Sequence, residues 1–460
     1  MFRKARRLHF VGIGGSGMSG IAEVLVNLRY PVSGSDLTSN HATRRLKQLG
    51  ARIHRGHRAA HVRDADVVVV SSAVRPDNPE VIEARRLEIP VIPRAEMLAE
   101  LMRMKYGVAV AGAHGKTSTT AMIAEVLGRG RLDPTVVIGG RIAKLRSGAK
   151  LGRGEIMVAE ADESDGSFLR MKPTIAVVTN IDREHLDHYR DLGEIQDAFV
   201  GFLRRVPFYG AAVVCVDDPN VRAILPRIER KLIRYGLSSE ADISAESLVP
   251  AGLAISYTAR AGGRTLGRVR LQVPGRHSVY NSLAAVAVGL ELDVPFRSIA
   301  AALHGFPGVE RRMQLRGTVG GATVLDDYGH HPTEIEATLS AVREGFGART
   351  VVVFQPHRYT RTQALLEDFG RAFFLADSVI VTDVYAAGEP PLPGVDGAAV
   401  ARALERHGHP AVRYEPSLKA IPRLLRATLR PGEVLLTLGA GDVWKVGEAL
   451  LARGQRRAAG

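Results

Sequence analysis

Residues 107–127, GVAVAGAHGKTSTTAMIAEVL, constrain the chain more than any other stretch. An apolar run of strand character leads into a glycine-bearing turn ending Gly115-Lys116-Thr117, and small and hydroxylated residues open a helix behind it. That order makes a phosphate-binding loop: backbone N–H groups turn onto phosphate oxygens, a lysine adds a point charge, and the helix presents its positive end. Thr117 can offer its hydroxyl to Mg²⁺. The eight-residue form of the loop would need glycine at 110, where the chain has Val110, so the match is to a shorter G-x-x-G-K-T. An ordinary strand–turn–helix could share the triplet; the apolar strand and the helix on the correct sides favour the phosphate loop.

A second glycine loop lies near the start. Residues 8–17 give a strand and then Gly12-Ile13-Gly14-Gly15-Ser16-Gly17, which fits G-x-G-x-x-G, and 18–28 continue as a helix. The next strand, PVSGSD, ends at Asp36, the spacing at which a dinucleotide fold places its ribose-binding acid. The pattern predicts a nucleotide diphosphate at a helix N terminus without choosing NAD over another diphosphate. Further βα units, with an apolar run at 66–72, close a first domain near residue 103.

Beyond the phosphate loop, EIMVAEADESDGSF delivers Glu160 at the carboxyl end of a strand, the edge where parallel α/β sheets hold ligands. Asp162, Glu163 and Asp165 crowd behind it, as a metal-binding group or as a solvated acidic turn. The following strand ends in Asp182-Arg183-Glu184-His185, so His185 lies just past another strand terminus. Residues 211–260 read as continued strands with a β-rich excursion. In PGRHSVYNSLAAVAVGLEL, His277 and Asn281 fall one helical turn apart; a shared ligand and incidental polar residues account for this equally well. PGVERRM leads into a third unit, where one strand ends at Asp326-Asp327-Tyr328-Gly329-His330-His331 and another at His357-Arg358-Tyr359-Thr360-Arg361. Three successive doubly wound α/β units is the economical architecture.

Composition narrows the class. At 460 residues the chain exceeds one core and suits about three domains. No run of 18 apolar residues appears, the N-terminal segment enters a strand without a cleavable signal, and the single Cys215 excludes an intrachain disulfide framework. A cytoplasmic protein that does not insert into membranes is expected. The net charge of +14 invites a nucleic-acid partner, but the basic residues are spread without a polybasic tail or aromatic interleaving, so no nucleic-acid binding is expected. Monomer and homodimer both remain open.

Taken together, VGIGGSGMSGIAEVL, AGAHGKTSTT, EADESDGSFL, TNIDREHLDHY, GRHSVYNSLAA, ERRM, DDYGHHPTEI and FQPHRYTRT resemble the bacterial Mur ligases that build the peptidoglycan stem peptide, in the right order over almost the whole chain. The resemblance implies an α/β protein of three consecutive domains. Residues 1–103 would be a Rossmann-like domain binding the UDP-sugar, 104–311 a P-loop ATPase domain, and 312–460 a dinucleotide-fold-like domain closing over ATP and the amino acid. It implies an ATP-dependent ligase joining L-alanine to the lactyl carboxylate of UDP-N-acetylmuramate, with Mg²⁺ as cofactor. Since histidine on a hard Mg²⁺ ion is less usual than oxygen, Mn²⁺ is an alternative.

By the same resemblance, Lys116, Glu160 and His185 would be catalytic, and Thr117, Glu160 and His185 would bind metal. ATP would meet Gly112, Ala113, His114, Gly115, Lys116, Thr117, Ser118, His277, Asn281, Arg312 and Asp327. The UDP-sugar would meet Gly14, Gly15, Ser16, Gly17, Ser35, Asp36, Ser71 and Ser72. Tyr328, His330, Arg358 and Arg361 are the candidates for the amino acid and the reacting carboxylates. Two positions bear on the match: Ser278 stands where the family commonly has Asn, and 196–200, QDAFV, lack the carboxylated lysine of ligases that add later residues. The second departure fits the alanine-adding member. Three rivals remain at this point: a ligase recycling murein tripeptide, an NAD-binding protein and a nucleic-acid-dependent ATPase.

Overall fold

The computed structural model describes residues 6–71, 73–142, 147–185 and 188–458. The first sheet contains β1 (Leu8–Val11), β2 (Val32–Asp36), β3 (Arg52–Arg55), β4 (Val67–Val70) and β5 (Val91–Pro93). They lie in the order β3-β2-β1-β4-β5, every pair parallel. Strand alternation sends Leu8, Phe10, Val67 and Val69 to one face and Val11 and Val68 to the other, where Val62 and Ala84 cover them. Both faces are apolar, as a parallel sheet between helices requires.

The second sheet has ten strands. They are β6 (Tyr106–Ala111), β7 (Thr135–Ile142), β8 (Ser147–Lys150), β9 (Ile156–Glu160), β10 (Ile175–Val178), β11 (Ala211–Cys215), β12 (Leu232–Gly236), β13 (Ile243–Ala251), β14 (Ala254–Ala261) and β15 (Arg264–Leu271). Their order is β15-β14-β13-β12-β11-β10-β6-β9-β7-β8. Strand β6, with the phosphate loop at its carboxyl end, pairs in parallel with β9 and β10, so the ends bearing Glu160 and the 179–185 segment lie at the same edge.

The third sheet contains β16 (Gln314–Val319), β17 (Ala322–Asp327), β18 (Thr350–Phe354), β19 (Ser378–Val381), β20 (Val412–Tyr414) and β21 (Val434–Leu438), in the order β16-β17-β21-β18-β19-β20. Only β16 is antiparallel to its neighbour. Val352 and Phe354 of β18 meet Phe369 and Phe373 on one face, while Val351 and Val353 meet Ile421 and Leu425 on the other.

By compactness the chain forms two units. One comprises residues 1–246, 258–269 and 280–307, the other 247–257, 270–279 and 308–460. Position 103 falls inside the first unit, because one apolar core runs through it: Met18, Ile21 and Ala22 of the helix Ser16–Asn27 share a cluster with Val137 and Ala149 of β7 and β8. No described helix is long and apolar enough to cross a membrane.

Candidate active site

The phosphate loop is built on a backbone that only glycine tolerates at its first bend. Gly112 has φ +136°, and a Cβ there would lie 2.1 Å from the Thr179 hydroxyl. The helix Lys116–Arg129 follows directly, so its first N–H groups have no partners within the helix. Lys116 folds back over the turn: Nζ donates to the Gly112 carbonyl at 2.6 Å, the Ala113 carbonyl at 3.1 Å and Glu163 Oε1 at 2.7 Å. Burial alone would lower the lysine pKa, but the charges of Glu163 and Glu160 outweigh it and shift it upward, so Lys116 stays a cation.

Neighbouring strand ends brace the loop. The His114 amide donates to Asn180 Oδ1 at 2.8 Å, its carbonyl accepts from the Thr179 hydroxyl at 2.7 Å, and its Nε2 stands 2.9 Å from Asp182 Oδ2. The Thr119 hydroxyl donates to Asn281 Oδ1 at 3.1 Å, joining the phosphate helix to the helix Arg276–Glu291. Ser118 sits in the first turn of the phosphate helix.

The acidic edge divides into two groups. Thr117 Oγ1 lies 3.0 Å from Glu160 Oε2, which also accepts the Gly139 amide at 2.8 Å. Separately, Glu163, Glu184 and His185 bring one ligand atom each within 4.8 Å of one another. His185 Nε2 is 3.4 Å from Glu163 Oε1 and 3.7 Å from Glu184 Oε2. Burial pulls the His185 pKa down, but Glu163 and Glu184 reverse this, and the net shift is upward. His185 holds a left-handed φ of +57°, a strained conformation for a side-chain-bearing residue.

Glu163 and Glu184 extend the expected ligand set of Thr117, Glu160 and His185. The sequence cue for Glu163 was its place in EADESD; its burial to 2% exposure separates it from a solvated turn. Its Oε2 is buried without a hydrogen-bond partner among the described residues. Both groups have donor chemistry that fits a hard divalent cation: the Thr117 hydroxyl and the Glu160 carboxylate in one, the Glu163 and Glu184 carboxylates and the His185 imidazole in the other.

The first glycine loop is held differently. The Gly12 and Ile13 amides donate to the Ser35 carbonyl at 2.9 and 3.0 Å, and the Gly14 amide to Asp36 Oδ2 at 2.9 Å. Gly15 precedes the helix Ser16–Asn27, in which Gly17 lies against the Arg94 guanidinium. Arg94, not anticipated from sequence, also donates to Asp162 Oδ2 at 2.9 Å. Ser71 borders the loop near Gly12. Ser72 and the side chain of Ser16 lie outside the described residues. Ser35 departs from the expected ligand contact: its side chain is fully buried and its hydroxyl donates to Glu80.

In the second unit, Asp327 ends β17 and accepts the Met313 and Gly329 amides, each at 2.7 Å. Burial pushes its carboxyl up to about 6, against the pull of Arg312 and those amides. Arg312 donates to Glu334 at 3.1 Å. His277 is half-buried, its buried Nδ1 has no hydrogen-bond partner among the described residues, and desolvation beside Arg312 lowers its pKa to about 4. The Ser278 hydroxyl turns back to the Pro274 carbonyl at 2.6 Å, satisfying its own helix start.

Three amino-acid candidates gather around His357. The Tyr328 and His330 rings meet edge-on at 5.5 Å, the His330 and His357 rings lie 5.8 Å apart, and Arg361 reaches His357 Nδ1 at 3.4 Å. Arg358 instead approaches Glu389 at 3.9 Å. His357, stacked on Tyr385, was not anticipated; burial and the cations around it lower its pKa to about 3.

These features, a cationic phosphate loop, an acidic edge and a polar cluster at the end of β17, define a nucleotide-using α/β enzyme. Residues 7–106 match the model of the Mur ligase family catalytic domain, 110–289 the Mur ligase middle domain, and 311–441 the Mur ligase glutamate ligase domain. The chain belongs to the Mur ligase family.

Within that family it is 57% identical over 453 residues to the UDP-N-acetylmuramate–L-alanine ligase of Desulfatibacillum aliphaticivorans, covering 98% of this chain and 99% of that one. It is 56% identical over 454 residues to the ligase of the same name from Geobacter sp. strain M21, covering 98% of each. Among solved structures, the UDP-N-acetylmuramate–alanine ligase of Thermotoga maritima superposes with a TM-score of 0.82 at 30% identity, covering 98% of this chain and 99% of that one. A murein peptide ligase from Psychrobacter arcticus shares the fold, with a TM-score of 0.70 at 23% identity over 97% and 98% of the chains.

Proposed function

We infer that this chain is the ATP-dependent ligase that joins L-alanine to the lactyl carboxylate of UDP-N-acetylmuramate in peptidoglycan precursor synthesis, releasing ADP and phosphate. The observation that carries this reading is full-length similarity to ligases of that name, with Lys116 and the acidic edge arranged around one phosphate loop. We assign UDP-sugar binding to residues 1–103, ATP binding to 104–311, and the amino-acid end to 312–460. The cytoplasm, where such precursors are made, is the proposed location.

A carboxylate does not react with an amine directly, so the lactyl carboxylate first attacks the γ-phosphate of ATP, giving an acyl phosphate and ADP. The L-alanine amine then attacks the acyl carbon and expels phosphate. Phosphoryl transfer depends on positioning and on stabilising charge. Lys116 and the loop amides from Gly112 to Ser118 supply that stabilisation, and Asn281 fixes the phosphate helix. Thr117, Glu160 and His185, with Glu163 alongside, would hold Mg²⁺ or Mn²⁺, which would supply neutralisation of phosphate charge. Tyr328, His330, Arg358 and Arg361 are the proposed contacts for the carboxylates, and His277, Arg312 and Asp327 for the nucleotide.

The test is phosphate release from ATP and Mg²⁺ with UDP-N-acetylmuramate across a panel of amino acids. Turnover that needs both the sugar nucleotide and L-alanine is expected; turnover with a murein tripeptide in place of alanine would overturn the assignment.

A further inference from the structure

A cluster of histidines in the first sheet, away from the phosphate loop, converges on one buried carboxylate. Glu80, near the start of the helix Pro79–Arg86, is fully buried. Four groups reach it from β1, β2, the turn after β3 and the short helix Ala59–Val62. His61 Nδ1 lies 2.6 Å from Oε1, His57 Nδ1 3.1 Å from Oε2, the Ser35 hydroxyl donates to Oε2, and His9 Nε2 stands 3.6 Å from Oε1. The Arg58 amide donates to Oε1 at 3.4 Å. His54 of β3 stacks on His61 with ring centroids 4.1 Å apart. Burial would push Glu80 up, but His9, Ser35 and His61 outweigh it and bring the carboxyl down to about 2. His9 is itself fully buried, with Nδ1 2.9 Å from the Ser33 hydroxyl and Nε2 facing only Glu80, beyond hydrogen-bond distance, among the described residues.

A buried carboxylate without partners costs several kcal/mol, and one with partners fixes each of them in place. What this one fixes is Ser35. The Ser35 carbonyl receives the Gly12 and Ile13 amides, and the next residue, Asp36, receives the Gly14 amide. Every described anchor that β2 gives the first glycine loop therefore comes from a two-residue segment that Glu80 holds from behind.

We propose that Glu80 is a positioning residue for UDP-sugar binding: through the Ser35 hydroxyl and the histidines around it, it sets the conformation of the Gly12–Gly17 loop that receives the anionic sugar nucleotide. The inference rests on the assignment of that loop to the sugar nucleotide. Ser35, expected from sequence to touch the ligand, acts instead through its backbone carbonyl and its bond to Glu80.

The experiment measures kcat and KM for both UDP-N-acetylmuramate and ATP in Glu80→Gln, Ser35→Ala and Gly14→Ala. Glu80→Gln keeps the side-chain volume and removes the charge, so KM for the sugar nucleotide should rise about tenfold, the scale of one charge-assisted hydrogen bond. KM for ATP and kcat should stay within about twofold, a split that general loss of folded protein does not produce. Ser35→Ala should raise the same KM several-fold, and it carries the test if Glu80→Gln does not fold. Equal shifts in both KM values, or an unchanged sugar KM in Ser35→Ala, would overturn the proposal. Gly14→Ala separates the two layers: if it leaves the sugar KM unchanged, the loop assignment itself fails. If it raises the sugar KM while the other two variants do not, only the role of Glu80 falls.

Discussion

The two glycine loops of the first unit share one grammar, strand, glycine turn and helix, and are held in opposite ways. In the first, the protein spends the loop amides on its own acceptors: Ser35 and Asp36 take the N–H groups of Gly12, Ile13 and Gly14, and no lysine follows the turn. In the second, Lys116 sits over the turn and bonds the Gly112 and Ala113 carbonyls, while Glu163 balances its charge. The first loop is shaped by hydrogen bonds to backbone and carboxylate acceptors; the second centres on a cation pinned by two loop carbonyls and a carboxylate partner. Identical strand–turn–helix order is therefore held by carboxylate and backbone acceptors in one place and by a lysine–carboxylate pair in the other, the contrast expected if the proposed roles of sugar-nucleotide binding and phosphoryl transfer hold.

The largest way to break this contrast is Lys116→Ala. The second loop should lose acyl-phosphate formation by about 10³-fold or more, the scale of deleting a principal transition-state charge, while equilibrium binding of UDP-N-acetylmuramate is retained. Rapid-quench measurement of acyl phosphate reads the first quantity and calorimetry the second; full activity in the variant would refute the role of the lysine. Glu163→Gln tests whether the partner matters as much as the cation. Losing one buried charge-assisted bond to Lys116 should reduce kcat/KM for ATP roughly ten- to a hundredfold, with less effect on the sugar nucleotide.

In the first loop, Gly14→Ala places a Cβ 2.8 Å from Asp36 Oδ2 and Asn40 Nδ2. Relieving that overlap costs about 1–3 kcal/mol, so KM for the sugar nucleotide should rise roughly tenfold and the thermal midpoint should fall, with ATP turnover little changed at saturating sugar. The smallest effect is expected from Thr119→Val, which removes the bond to Asn281 and keeps the volume. A loss of about 1 kcal/mol and a rise of a few-fold in KM for ATP should follow. A larger effect on the sugar nucleotide than on ATP would erase the distinction between the loops.

Much of this was legible in the chain because it is local. The apolar run before Gly112, the Gly115-Lys116-Thr117 triplet and the strand end at Glu160 are contiguous, and β6, β9 and the phosphate helix form where those residues require. What escaped depends on residues far apart in sequence. Glu160 and Glu163 are alike in EADESD, and only burial against Lys116 and Tyr189 singles out the second. The Glu80 cluster draws on positions 9, 35, 57 and 61, none of which carries a recognisable spacing. His357 follows a strand as many histidines do, and stacking on Tyr385 from a separate connection gives it a place.

The apolar cluster that joins the helix Ser16–Asn27 to β7 and β8 has a consequence for how such a chain can be divided. A gene cut at residue 103 would leave Met18, Ile21 and Ala22 facing water on one fragment, and Val137 and Ala149 on the other. Neither fragment could be traded for a foreign module without rebuilding that seam. The two glycine-loop regions are in this respect a single heritable part, whereas the unit centred on the third sheet keeps its own core and could diverge on its own.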